Sequence, residues 1–197
     1  MARAAAKSAA HAPQEPPPPR PVTGSVKSRP RDIKRNRRRR QHGCWDHLIV
    51  APLWVAYGAN LGTLLRTCDA VGACMAVPDT RHYHQALDRG DTLVRRGCIH
   101  WVGSAKERWV EAQRDRGSMI LGVELAEDAV PLTRLDPAGQ RTVVLLGHEH
   151  YGLPDEAWPL LDDVVEIPMT GQGASLNVAV AGSLVLYRLG GLAWAPA

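Results

Sequence analysis

The chain has 197 residues, of which 45% are hydrophobic, and this is enough to bury the core of one domain. Its formal charge of +4 hides an uneven distribution: residues 1–42 carry a net charge of +10, from 12 Lys or Arg against Glu15 and Asp32, and the rest carries −6. No apolar run approaches the ~18 residues of a membrane span, and the first residues contain no apolar core of the ~7 residues that a secretory signal needs. We therefore expect a protein that neither enters a membrane nor is secreted.

The first 43 residues have the composition of a basic arm. The proline run Pro16–Pro19 and the alanine-rich start cannot pack a core, so we predict disorder for the free arm and a separate domain over residues 44–197. The densest positive run consists of Arg37, Arg38, Arg39 and Arg40. Clustered guanidiniums bind nucleic-acid phosphates without reading sequence, so we expect these four to bind RNA; a solubilising tail or a transit peptide is the alternative.

Strand-like and helix-like segments alternate through the rest of the chain. Apolar runs predict strands at Leu48–Ala51, Cys74–Val77, Ile99–Gly103, Met119–Leu125, Val143–Gly147 and Val164–Met169. Helical periodicity predicts helices at Asn60–Val71, Tyr83–Asp91, Lys106–Arg116, Pro154–Leu161 and Ser175–Leu189. This alternation predicts an α/β fold with a parallel sheet sandwiched by helices.

The first polar junction of interest opens the helix after the first strand. Asn60 is placed to cap this helix, and Arg66 lies three residues before Asp69, close enough for the two to pair on one face. Taken alone, both features are ordinary parts of a helix.

The second junction follows the buried run Val143–Gly147. His148, Glu149 and His150 come directly after it, at the carboxyl end of a strand, where open α/β sheets bind ligands. Two histidines at this spacing do not match the i, i+4 pair of a helical zinc site, so we predict no metal. The four cysteines show no C-x-x-C spacing and indicate reduced core residues of a cytoplasmic protein.

The third junction, Ile167–Asn177, crosses from a strand end through a glycine-containing loop into an apolar helix. We predict that Ser175 is the N-cap and that Asn177 lies in the first turn, where free backbone N–H groups face outward. The helix that follows is apolar on nearly all sides, so more than one of its faces must be covered.

Together the three junctions resemble the SpoU/TrmH family of RNA ribose 2'-O-methyltransferases, within the SPOUT superfamily of knotted enzymes. The family's first motif is matched by Asn60, Gly62, Arg66 and Gly72. Its second motif, G-x-E-x-x-G after an apolar strand, is matched by Gly147, Glu149 and Gly152. Its third motif is matched by Ile167, Pro168, Met169, Ser175, Leu176, Asn177 and Val178. The resemblance covers about Cys44 to Leu192, and L-R-T-C-D-A-V-G is most similar to the tRNA-modifying branch.

The resemblance implies a deep trefoil knot in the C-terminal part, formed from about Leu145 onward, which holds S-adenosylmethionine. The implied cofactor-binding residues are Leu125, Gly147, Ile167, Met169, Ser175 and Leu176. The implied catalytic residues are Arg66, Asn60, Glu149, Ser175 and Asn177. We expect Arg66 to bind the acceptor phosphate and stabilise the developing alkoxide, since a guanidinium is a poor base. Asn60 and Glu149 would orient Arg66 and the RNA, with Glu149 as an alternative proton acceptor.

The function implied is that of a cytoplasmic, homodimeric, S-adenosylmethionine-dependent RNA 2'-O-ribose methyltransferase that acts on tRNA. A 23S-type ribosomal RNA methyltransferase is one alternative. A knotted RNA-binding module that has lost catalysis is another, although the complete set of motif residues argues against it. The sequence does not name the methylated nucleotide.

Overall fold

The computed structural model of the chain describes residues 47–90, 98–173 and 175–192. The predicted arm lies outside the described residues, and so do the boundary at residue 43 and the arginine run Arg37–Arg40. Within the described part, no helix is both long enough and apolar enough to cross a lipid bilayer.

The described chain forms one seven-stranded sheet in which all neighbouring strands are parallel, in the order β3-β2-β1-β6-β4-β7-β5. Its strands are β1 (Leu48–Ala51), β2 (Cys74–Pro78), β3 (Ile99–Val102), β4 (Met119–Val123), β5 (Val130–Pro131), β6 (Thr142–Leu145) and β7 (Asp163–Glu166). All six predicted strands are present, with ends that differ by a few residues. The two-residue edge strand β5 was not predicted, because two residues are too short to show a period.

Over the described ranges, four α-helices accompany the sheet: α1 (Gly58–Val71), α2 (Arg81–Gly90), α3 (Lys106–Asp115) and α4 (Val178–Leu189). The predicted helix Pro154–Leu161 is wrong: turns and a three-residue 3-10 segment, Trp158–Leu160, occupy this stretch. Pro154 and Pro159 both lack an N–H donor, which accounts for the failure of a regular helix to propagate. The prediction of an α/β fold with a parallel sheet between helices is confirmed.

Both faces of the sheet are covered, so its central strands are buried throughout and almost entirely apolar. Every residue of β1 and β6 is buried. On one face, side chains of α1 and α4 such as Leu64, Leu65 and Leu186 pack in one core cluster. On the other face, Val110 of α3 packs in a second cluster with strand residues such as Ile49. Continuous burial on two faces is the pattern of a parallel sheet in an α/β protein.

The strand registers bring several loops together at the carboxyl edge of the sheet. Leu145, the last residue of β6, lies beside Ala51 at the end of β1 and beside Gly122 near the end of β4. Because the strands are parallel, the loops that follow them emerge side by side. The three polar junctions of the sequence all lie at or next to this edge.

The loop after β6 folds tightly back on itself. His148 and Gly152 exchange two backbone hydrogen bonds of 2.9 Å, which close a short antiparallel bridge around residues 149–151. Gly147 lies so near this bridge that a Cβ atom there would be 2.2 Å from the carbonyl carbon of Gly152. Only glycine fits at position 147, because the backbone of Gly152 approaches it too closely for a side chain. This close approach explains the first glycine of the second motif.

Candidate active site

A cavity of about 300 Å³ opens at the carboxyl edge of the sheet, beside the ends of β4, β6 and β7. All six residues that the sequence assigned to a cofactor line this one cavity: Leu125, Gly147, Ile167, Met169, Ser175 and Leu176. They come from three separate loops. The structure thus brings the predicted set together, while the cofactor contact of each residue stays a prediction.

The lining of the cavity is apolar in part and acidic in part. Leu125, Met169 and Leu176 are 77%, 41% and 41% exposed, although large apolar side chains are normally covered in a folded protein. The carboxylate-bearing residues Glu124 and Glu166 line the same space. Exposed apolar side chains grouped around one concavity are typical of a ligand site, and nearby carboxylates favour a positively charged ligand.

Glu149 is held at the edge of this cavity by three hydrogen bonds. The backbone N–H groups of Ala56 and Tyr57 donate to its two carboxylate oxygens at 2.9 and 3.0 Å. The side-chain amide of Asn60 donates to Oε1 at 2.6 Å. Ala56 and Tyr57 directly precede α1, so one carboxylate ties the loop after β6 to the start of that helix.

Asn177 extends this network to the third motif. Its side-chain nitrogen donates to Oδ1 of Asn60 at 3.0 Å, and its own Oδ1 accepts from the backbone N–H groups of Ala179 and Val180 at 3.0 and 3.2 Å. A continuous chain of hydrogen bonds, Glu149–Asn60–Asn177, therefore joins all three motifs.

The two predicted caps are wrong in their details. Helix α1 begins at Gly58 with Tyr57 at the cap position, so Asn60 lies inside the first turn, where its side chain bonds Glu149 and Asn177. Helix α4 begins at Val178 and is capped by Asn177, not by Ser175. Ser175 is exposed and lines the cavity instead. The side chain of Asn60 makes long-range hydrogen bonds to Glu149 and Asn177 instead of capping the helix locally, as the sequence predicts.

The surroundings of Glu149 favour its ionised form. Burial by itself would raise the pKa of this carboxyl, but the hydrogen bonds from the backbone of Ala56 and Tyr57 and from Asn60 outweigh it and hold the pKa below the ordinary value. A carboxylate that accepts three hydrogen bonds and has a lowered pKa is a weak proton acceptor. This geometry favours Glu149 as a positioning group over its alternative role as the base.

Arg66 lies apart from this network. It projects from the exposed side of α1 and is absent from the cavity lining. In the part of the chain that the structure describes, its guanidinium makes no hydrogen bond or ion pair, so the possible pairing with Asp69 is not observed. The site residues are therefore brought together except for Arg66, which is left available to an external anion.

The three cysteines that the structure describes, Cys68, Cys74 and Cys98, do not line the cavity. Cys68 is buried and unpaired, and burial raises the pKa of its thiol well above the ordinary value. At the opposite, amino-terminal edge of the sheet, ligand atoms of Cys74, Cys98 and His100 lie within 4.8 Å of one another. None of these three residues lines the cavity, so the cluster is separate from the candidate site.

Sequence reasoning missed a group of aromatic rings beside the cavity: Tyr57, His148, His150 and Tyr151. The hydroxyl of Tyr57 and Nε2 of His150 are 3.0 Å apart, and the rings of His148 and Tyr151 have centroids 4.7 Å apart. The string H-E-H-Y after a strand was the available signal. This string does not predict an aromatic group by itself, because Tyr57 is remote in sequence and joins the group only through the fold.

The model of the SpoU rRNA methylase family matches residues 47–187. The chain belongs to the SpoU rRNA methylase family. This match includes every motif residue of the hydrogen-bonded network and of the cavity, and it confirms the family resemblance seen in the sequence.

Individual members of the SpoU rRNA methylase family agree with this assignment. The chain is 33% identical over 141 residues to a tRNA (guanosine(18)-2'-O)-methyltransferase of Thermus thermophilus, an alignment that covers 66% of each protein. It is 32% identical over 138 residues to the enzyme of that name from Escherichia coli, covering 66% of this chain and 56% of the relative. The chain thus spans about two thirds or less of the length of these curated relatives.

Solved structures of SpoU members share the fold. The Aquifex aeolicus TrmH/SpoU tRNA modifying enzyme matches with a TM-score of 0.62 and 26% identity, covering 82% of both chains. An AdoMet-bound rRNA methyltransferase from Sinorhizobium meliloti matches with a TM-score of 0.63 and 26% identity, covering 76% of this chain and 57% of that one.

Proposed function

We propose that this protein is an S-adenosylmethionine-dependent RNA 2'-O-ribose methyltransferase that acts on tRNA. The observation that carries the proposal is the Glu149–Asn60–Asn177 network, which links the three family motifs at the edge of one cavity. The curated relatives named above support tRNA as the substrate.

The cavity suits S-adenosylmethionine by size and by chemistry. Its volume of about 300 Å³ lies at the lower end of small-molecule sites. Leu125, Met169 and Leu176 offer apolar surface for the adenosine, and Glu124 and Glu166 offer negative charge near a sulfonium. When bound, this cofactor supplies the electrophilic methyl group.

The remaining demands of the reaction fall on the protein's own residues. The exposed guanidinium of Arg66 binds the phosphate beside the acceptor nucleotide and stabilises the negative charge that develops on the 2'-oxygen while the hydroxyl proton passes to solvent water. Glu149 and Asn60 fix the start of α1, and Asn177 fixes the start of α4 and the loop before it. Ser175, exposed at the cavity, is available to the acceptor nucleotide or the cofactor.

The active enzyme is a homodimer in this proposal. Arg66 does not line its own chain's cavity, and a helix that leaves Val180 and Tyr187 46% and 39% exposed has apolar surface still to cover. Pairing of two chains through α4 would bury that surface and carry Arg66 of α1 toward the partner's cavity. Both facts support a site completed by two protomers.

We also propose that the C-terminal part forms the deep trefoil knot of this superfamily. Strand β7 pairs with β4 and β5, whereas α4, which follows it, packs on α1 and β1. The connecting residues 167–177 therefore return across the carboxyl edge, past the loop that follows β6. A crystallographic trace of residues 145–192 tests whether the segment threads through a loop.

The activity is tested by incubating the protein with methyl-labelled S-adenosylmethionine and either unmodified tRNA or unmodified ribosomal RNA. We expect label in tRNA as a 2'-O-methylnucleoside. Label found only in ribosomal RNA would identify ribosomal RNA as the substrate instead of tRNA. Binding of the cofactor and of RNA without methyl transfer would indicate an RNA-binding module that has lost catalysis.

A further inference from the structure

The four aromatic rings next to the cavity form a surface that the reaction described above does not use. We propose that this platform, defined as the rings of Tyr57, His148, His150 and Tyr151, stacks an unpaired base of the RNA substrate at or next to the methylated nucleotide. The inference rests on the proposed function, and it names how that site holds its RNA.

The rings form one connected group. Centroid separations are 5.9 Å for Tyr57 and His150, 5.8 Å for the two histidines, 4.7 Å for His148 and Tyr151, and 6.4 Å for His150 and Tyr151. These separations lie within or close to the range of favourable ring contacts. The ring planes of these pairs differ by 42° to 85°, so the rings support one another in a connected group, and a base stacks on the face of its most exposed ring, Tyr151.

The group is also fixed in place before any ligand arrives. The backbone N–H of His150 donates to Nδ1 of His148 at 3.0 Å, which assigns the proton of a neutral His148 to Nε2. The bridge between His148 and Gly152 closes the loop, and Glu149 anchors the same loop to the backbone of Tyr57. A surface held this way loses little conformational entropy when a ligand binds.

The platform is largely uncovered within the part of the chain that the structure describes. Tyr151 is 84% exposed and Tyr57 is 54% exposed, so much of their ring area faces water. Burial of such area against a flat partner is favourable, and single-stranded RNA is bound in this way, with unstacked bases on aromatic side chains.

The position of the platform indicates which bases can reach it. His148 and His150 line the cavity, while Tyr151 lies one residue further along the same closed loop. The aromatic surface is therefore continuous with the space assigned to the methyl donor. A nucleotide whose ribose enters that space has its own base, or the adjacent one, within reach of the rings.

The test compares three substitutions of Tyr151 in the full-length protein: Tyr151→Ala, Tyr151→Leu and Tyr151→Phe. The leucine variant keeps apolar area without a π-face, and the phenylalanine variant keeps the ring. Trp101→Ala is the matched control, because Trp101 is also an exposed aromatic residue but lies on β3, at the far edge of the sheet. The probes are unmodified tRNA and a uridine hexamer that carries one central 2-aminopurine riboside.

We expect Tyr151→Ala and Tyr151→Leu to weaken tRNA binding and raise KM for tRNA by about 5- to 150-fold, the range for loss of one stacked base. Tyr151→Phe and Trp101→Ala should remain within about twofold of wild type. Binding of the hexamer to wild type should quench 2-aminopurine fluorescence, and the alanine and leucine variants should lose the quenching. The affinity for S-adenosylmethionine should not change in any variant.

Two failures are distinguishable. A wild-type protein that methylates tRNA, together with alanine and leucine variants that bind tRNA and quench 2-aminopurine normally, overturns the platform and leaves the enzyme intact. A wild-type protein that binds neither S-adenosylmethionine nor tRNA overturns the proposed function, and the platform with it.

Discussion

The two asparagines of the network can be oriented in only one way that satisfies all of their partners. The amide nitrogen of Asn60 donates to Glu149, which leaves Oδ1 of Asn60 to accept from Asn177. Oδ1 of Asn177 is then free to cap α4. Each residue thus uses a donor nitrogen and a separate acceptor oxygen of one side chain. Ionised Asp has no donor, and Ser carries both functions on a single oxygen of a shorter side chain. This double demand explains why asparagine stands at both positions.

Replacement of Glu149 by Gln should weaken the network at neutral pH. Gln offers one acceptor oxygen to three donors, and its NH₂ group would face an N–H group. We expect a loss of about 1–2 kcal/mol in the free energy of unfolding, measured by urea titration at pH 7.

The same variant has a defined pH dependence. Because folding lowers the pKa of Glu149, its stabilising contribution is complete above the ordinary value of 4.5 and is lost as the pH falls through the lower folded-state pKa. The gap in unfolding free energy between wild type and Glu149→Gln should therefore narrow below about pH 4.5. A gap that stays constant from pH 7 to pH 3 would contradict the ionised, hydrogen-bonded state.

Replacement of Arg66 by Ala should affect the acceptor side alone. Loss of one cationic donor at a developing oxyanion lowers the rate of transfer by about 100- to 1,000-fold. The affinity for S-adenosylmethionine, measured by calorimetry, should stay within a few-fold, because Arg66 does not line the cavity. Arg108→Ala is the control, since Arg108 is an exposed arginine on α3. Near-normal turnover of Arg66→Ala would remove Arg66 from the mechanism.

At the scale of elements, the loop after β6 depends on the absence of a side chain at position 147. A Cβ there would lie 2.2 Å from backbone of Gly152, so Gly147→Ala should lower the free energy of unfolding by about 3 kcal/mol and impair cofactor binding. Gly103→Ala is the matched control, because a Cβ at that position meets nothing within 4 Å. Equal stability of the two variants in urea titrations would show that the loop can move away.

Helix α4 should form the main contact between protomers. Val180 is exposed near its N-terminus, where an acidic residue suits the helix dipole, so Val180→Glu should keep the helix and place charge in an apolar interface. We expect wild type to sediment as a dimer at micromolar concentration and Val180→Glu to shift toward monomer. Glu111→Arg, on the exposed side of α3, should remain dimeric. An active monomeric wild type would refute this pairing.

The strands and the site's composition follow from sequence pattern, whereas the network does not. Runs such as Leu48–Ala51 are buried on both sides and leave an unmistakable apolar signature. The sequence predicts the start of α1 two residues too late, at Asn60 instead of Gly58. Asparagine is a preferred N-cap residue, but the side chain of Asn60 is hydrogen-bonded to Glu149, 89 positions away in the sequence. No local pattern contains such a contact. The aromatic platform is not predictable from the sequence for the same reason, because Tyr57 and His150 are 93 positions apart in the chain and meet only in the fold.

At the scale of the whole molecule, charge is divided between the arm and the domain. A domain with a net charge of −6 attracts a polyanion poorly, and residues 1–42 supply +10. We propose that the arm, through Arg37–Arg40 and neighbouring basic residues, binds RNA phosphates.

Deletion of residues 1–42 should therefore weaken RNA binding and flatten its dependence on salt, by roughly 0.7 to 0.9 in the logarithmic slope for each lost phosphate contact. The affinity for S-adenosylmethionine should not change, because the cavity is built from residues 123–181. The measurement is tRNA affinity of both proteins at several salt concentrations. If the full-length and truncated proteins show identical salt-dependence slopes, the arm does not bind RNA phosphates and has a solubilising or targeting role instead.

Methyl transfer to a ribose oxygen of tRNA is tested most directly by mass spectrometry of nucleosides from tRNA treated with the protein and isotopically labelled S-adenosylmethionine. We expect one labelled 2'-O-methylnucleoside, formed by wild type and nearly absent with Arg66→Ala. Label on a base rather than a ribose, or no label in tRNA under conditions where the cofactor binds, would contradict it.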